Sequence, residues 1–85
     1  MTIKEKILEY LSDEELLFVD GFDDAIVGID SSSLRIVYDI DQMMCVLTEQ
    51  DKMDPDDAIQ HLEYNILNAY VGEKTPIYLQ TFRYD

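Results

Sequence analysis

The chain has 85 residues, 47% of them hydrophobic, with 19 acids against 6 Lys and Arg and a formal net charge of −13. That length makes one domain with a core but little reserve, and at about 0.05–0.15 kcal/mol per residue a stability on the order of 4–13 kcal/mol. The apolar content excludes a wholly disordered chain, and no apolar run approaches the roughly 20 residues of a membrane span. The charge excludes nucleic acid and anionic lipid as partners of the general surface, since both carry the same sign.

Thr2 and Glu5 match a capping box ahead of the stripe Ile3, Ile7, Leu8 and Leu11, which predicts a first helix to about Leu11. The segment MTIKEKILEYL is charged and lacks the uninterrupted apolar stretch of a signal peptide. Ser12 and Glu15 repeat the capping pattern, predicting a short helical turn through Leu16 and Leu17. Asp20-Gly21-Phe22-Asp23-Asp24 reads as an acidic turn, followed by a strand from Ala25 to Ile29. Gly28 inside that strand marks a bulge or the close approach of another backbone.

Asp30-Ser31-Ser32-Ser33 links this strand to a partner, Leu34 to Tyr38. Asp39, with Gln42 three residues on, opens a second helix carried by Ile40, Met43, Met44 and Leu47. Cys45 is the only cysteine, which leaves no disulfide framework and no Cys-based metal site. Set among apolar residues it reads as a small core side chain, and a reducing cytoplasm is the natural compartment.

Asp51-Lys52-Met53 connects to the strongest signal in the chain, DPDDAIQHLEYNILNAYVGEKTPIYL from Asp54 to Leu79. Asp54 is a preferred N-cap, Pro55 suits the first helical position, and Asp56 and Asp57 face the positive end of the helix dipole. Ala58, Ile59, Leu62, Ile66, Ala69 and Tyr70 recur at helical spacing, with Gly72 and Pro76 as stop signals. A helix from Pro55 to about Val71 would be roughly 25 Å long. Ile77, Tyr78 and Leu79 form the last strand, and residues 80–85 read as a frayed tail.

The element order is α-β-β-α-α-β, with strands and helices segregated as in α+β folds. A single domain over 1–85 is expected, with a three-stranded antiparallel-type sheet covered by helices on one face. The last strand is placed beside Ala25–Ile29, and the central helix is expected to cross that strand at Gly28.

Catalysis has little to stand on. His61 is the only histidine, has no Ser or Cys partner implied by sequence, and reads as an exposed helix residue. No nucleotide-binding or metalloprotease motif occurs, and Asp20–Asp24 lacks the ligand spacing of a calcium loop. No enzyme, no cofactor and no dedicated metal site is therefore expected. A small-ligand site would need the Asp20–Asp24 loop to meet the Val71–Pro76 loop, bringing Asp23, Asp24, Glu73 and Thr75 together.

The base-free stretch between Lys6 and Arg35 holds eight acids. Its Asp13, Glu14, Glu15, Asp20, Asp23 and Asp24 are the candidate contacts for a basic protein surface. Tyr64, Asn65 and Asn68 lie beside the central stripe, where Lys and Glu would be better helix formers. They read either as a tie to a neighbouring loop or as a polar contact for a partner. A free sheet edge and six tyrosines also suit a homodimer.

Three segments taken together carry a resemblance: DGFDDAIVG at 20–28, Tyr38-Asp39, and MDPDDAIQHLEYNILNAYVGEKTP at 53–76. The pattern resembles that of a group of small proteins from tailed phages, prophages and their bacterial hosts, over roughly residues 17–79. Gln60 stands where the group often has an acid, and Ala25 where Cys is common. The resemblance brings no catalytic residue to carry over. It implies a phage accessory protein in a bacterial cytoplasm, and by analogy an inhibitor of a host or defence protein, some such proteins being DNA mimics.

Overall fold

The computed structural model describes residues 2–82; residues 83–85 of the predicted tail lie outside them. It is an α+β domain. Helix α1 spans Ile3–Tyr10 and opens with the predicted capping box: the Thr2 hydroxyl accepts from the Glu5 amide while the Glu5 carboxylate reaches back. Ile7 is its one buried residue.

Strands β1, Ile26–Ile29, and β2, Ile36–Asp39, form an antiparallel hairpin whose register shifts between Ile26 and Gly28. The link is closed by Asp30, whose carboxylate accepts from the Ser33 hydroxyl at 2.6 Å and the Ser33 amide at 2.9 Å. The Ser33 hydroxyl, then its amide, hold the Asp30 carboxyl below the ordinary carboxylate range. This support is present above the ordinary carboxylate pKa and is lost as pH falls through the lowered one.

Asp39 ends β2 and also caps α2, Ile40–Cys45, accepting from the Asp41 amide. The helix runs on as a π-helical stretch, Val46–Gln50. Helix α3, Pro55–Leu62, is capped by Asp54 as predicted and also continues in π form, Glu63–Leu67. Strand β3, Ile77–Leu79, has the predicted bounds.

Its partner differs from expectation. β3 pairs with β2, in parallel, so the sheet is mixed with order β1-β2-β3. Parallel neighbours need a long crossover, and α2 and α3 supply it. Three contacts favour the β2 edge: Tyr78 stacks on Tyr38 at 5.9 Å, Arg35 Nε donates to the Thr75 carbonyl, and Thr81 reaches Asp39. The irregularity at Val27 blunts the other edge.

The core lies between the sheet and the helices. Ala25, Ile26, Ile36, Tyr38, Met43, Leu47, Ala58 and Leu62 are each at most 3% exposed. Alternation along the strands sends Ile36 and Tyr38 inward and Val37 to the outer face. Gly28, opposite Val37, shares that outer face, and a Cβ built there meets nothing within 4 Å. The predicted close approach of α3 at Gly28 is therefore wrong; the glycine lies beside the register shift of β1.

Three further expectations are corrected. Leu11–Asp13 form a turn and residues 15–19 are neither helix nor strand, so the second capping pattern starts no helix. Tertiary contacts decide this: Leu16, Phe18 and Val19 pack against the core, and the Val19 amide donates to the Tyr38 hydroxyl at 2.7 Å. Helix α3 ends before Val71, because the Asn68 side chain donates to the Glu63 carbonyl and the Ala69 amide tightens onto the Ile66 carbonyl. Gly72 has the expected positive φ, 112°, but uses it in a separate turn closed by Thr75. Cys45 is exposed, since it sits two residues from Met43 and so well around the helix from the buried face.

Candidate functional site

Residues 13–24 form an acidic strap across the domain. Its apolar side chains hold it down: Phe22 is 5% exposed, and Leu16, Phe18 and Val19 are partly buried. Its acids point the other way. Asp13, Glu14, Glu15, Asp20, Asp23 and Asp24 are all exposed. Asp23 pairs with Lys4 at 3.3 Å, Glu14 with Lys74 at 3.8 Å, and Asp24 accepts from Gln50. Such surface pairs contribute about 0–1 kcal/mol each. The lysines are held in other ways too: Lys4 lies 4.7 Å from the centre of the Phe18 ring, and Lys74 donates to the Ser33 carbonyl.

Beside the strap is an open cleft of 560 Å³, lined by Glu15, Leu16, Leu17, Val71, Glu73 and Lys74. The Val71–Pro76 loop that builds its far wall is rigidly turned: the Thr75 hydroxyl accepts from the Val71 amide and donates to the Gly72 carbonyl. Leu17 and Val71, 39% and 61% exposed, give the cleft an apolar floor between the carboxylates of Glu15 and Glu73. The predicted meeting of loops thus takes another form. Glu73 shares the lining of the cleft with Glu15, Leu16 and Leu17. Asp23 and Asp24 instead bond Lys4 and Gln50, and no hydrogen bond among the described residues joins them to Glu73 or Thr75. The sequence signal for this wall is the apolar run Leu16-Leu17-Phe18-Val19 directly after Glu15, which by its capping pattern predicts a helical turn.

The second predicted contact group lies elsewhere. Tyr64 is 82% exposed, Asn65 touches His61 Nδ1 at 3.3 Å, and Asn68 caps its own helix. Neither asparagine ties down a neighbouring loop, because both find partners within five residues. His61 is half-buried rather than exposed.

Among the described residues, no group of three or more His, Cys, Asp or Glu is placed to hold a metal ion. No buried side-chain nitrogen or oxygen there lacks a partner, so no polar group waits inside for a ligand. No described helix is long and apolar enough to cross a membrane. Compared with known protein families, with curated proteins and with solved structures, the chain matches none.

Proposed function

We propose that this protein is a non-enzymatic binder, of phage accessory type, that engages and inhibits a basic host or defence protein. The observation that carries the reading is the strap: six exposed acids, anchored by buried apolar side chains, in a chain of net charge −13. Anchoring matters because charges held on a fixed surface lose less entropy on binding than charges on a loose tail. The cleft adds apolar contact between Glu15 and Glu73, which suits a basic patch that also presents an aliphatic or aromatic side chain.

A patch on a protein fits better than a duplex replica. Even wound as tightly as an α-helix, the twelve residues of the strap would span about 18 Å and carry one acid per about 3 Å. Duplex DNA carries about one charge per 1.7 Å. A DNA mimic would have to recruit acids beyond the strap, Asp54, Asp56 and Asp57 among them.

The test is capture from a bacterial lysate on the immobilised full chain. A parallel column carries a variant with Asp13, Glu14, Glu15, Asp20, Asp23 and Asp24 changed to Asn or Gln. Basic proteins are expected on the first column at about 50 mM salt and to elute by about 500 mM, where the Debye length falls below about 5 Å. The variant should lose them. Equal retention by both columns, or nothing basic retained at low salt, overturns the proposal.

A second reading is favoured by the outer sheet face. Val27, Val37, Ile77 and Leu79 surround an open groove of 430 Å³ whose one charged lining residue, Asp30, is already engaged by Ser33. In so acidic a chain a charge-poor face suits a second copy, sheet against sheet at about 10 Å. Light scattering after size exclusion should then show a dimer; a strict monomer at high micromolar concentration removes this reading.

A further inference from the structure

The groove between α2 and α3 is a separate apolar surface, built from residues outside the strap and its cleft. It encloses 490 Å³ over a floor of Ile40, Met44, Ile59 and Leu67, with Asp41 and Glu63 also in its wall. Ile59 is 45% exposed although it lies on the apolar stripe of α3. Met44 adds an unbranched, adaptable side chain of the kind that serves varied binding partners.

The charge around this floor has one sign. From Ile40 to Gln50, and again from Pro55 to Leu67, there is no Lys or Arg, while Asp41, Glu49, Asp56, Asp57 and Glu63 fall in those stretches. Asp41 already holds an N–H donor at the groove, the Gln80 side-chain amide at 2.7 Å. The position therefore accepts a donor with good geometry, and a cationic one would bind it more strongly than an amide does.

We infer that this groove docks a basic amphipathic helix of a partner protein. Its apolar stripe would lie on Ile40, Met44, Ile59 and Leu67, and its Lys or Arg side chains on Asp41 and Glu63. A helix is the better occupant because it satisfies its own backbone, whereas an extended segment would bring unpaired N–H and C=O groups onto an aliphatic floor. The helix-in-groove mode uses the spacing of apolar anchors that two flanking helices accept. The site uses none of the strap residues, so it can fail while the strap reading stands, and the reverse.

The probe is a synthetic 14-residue Leu/Lys peptide with leucines at helical spacing, titrated into the full chain and followed by amide chemical shifts. Its control has the same composition with leucines at every second position. The helical peptide is expected to shift amides of Ile40–Met44 and Ile59–Leu67 and to bind about tenfold more tightly than the control. Ile59→Gln and Met44→Gln, both at exposed or half-exposed positions, should each weaken it by about fivefold. Asp41→Asn with Glu63→Gln should flatten its salt dependence. Equal binding of the two peptides, shifts concentrated in residues 13–24, or unchanged affinity in both Gln variants would each overturn the proposal.

Discussion

Leu62→Ala is expected to lower the unfolding free energy by about 2–5 kcal/mol. Leu62 is 2% exposed and belongs to the core cluster formed by β1, β2 and the helices. Removing the isopropyl group beyond Cβ loses the transfer energy of those buried carbons and leaves a cavity that the neighbours fill only in part. Against a total on the order of 4–13 kcal/mol, this loss leaves the variant marginal or partly unfolded at 37 °C. The control is Ile59→Ala, three residues earlier on the same helix and 45% exposed, which should cost about 1 kcal/mol or less. Urea unfolding of both variants measures the contrast. Equal midpoints would show that α3 does not bury the Leu62 side as described.

Tyr38→Phe is the second large effect, and it links the core to the acidic strap. Tyr38 is 0% exposed, stacks on Tyr78, and its hydroxyl accepts from the Val19 amide at 2.7 Å. Phenylalanine keeps the ring contacts and removes the acceptor, leaving a part-buried N–H without its partner. The expected cost is about 1–2 kcal/mol, the lower part of the range for such groups because Val19 is only half-buried. Hydrogen exchange at the Val19 amide should speed up more than exchange in α3, since the strap loses its one bond to the sheet's central strand.

The same variant makes a pH prediction. Burial, opposed in part by the Val19 hydrogen bond, pushes the Tyr38 phenol up to about 12. The neutral phenol is thus favoured by folding. Its contribution is complete below the ordinary tyrosine pKa of about 10 and is lost as pH rises towards 12. Wild type should therefore lose on the order of 2 kcal/mol more than Tyr38→Phe between pH 9 and pH 12. Parallel losses in the two proteins would show that Tyr38 ionises without penalty.

What could be read from the chain alone shares one property: each feature satisfies its own backbone within a few residues. Thr2, Asp39 and Asp54 cap helices because a short polar side chain beside free N–H groups needs no distant partner. Asp30 and Ser33 close the hairpin link for the same reason. The α+β class followed from the order of those pieces.

The failures share the opposite property. The Ser12–Glu15 pattern is locally as good as the Thr2–Glu5 one, but Leu16, Phe18 and Val19 pack against the core as an irregular strap and the Val19 amide bonds the Tyr38 hydroxyl. Sheet order was a choice between the two edges of the hairpin. Tyr38, Arg35 and the irregular β1 edge decided it, and none of these contacts is local to β3. The candidate site follows the same division. That the strap is acidic is a matter of composition, legible at once. That Glu15 stands across a cleft from Glu73, and that Ile59 lies open in a groove with Met44, depends on packing between segments far apart in the chain, where no periodicity reports.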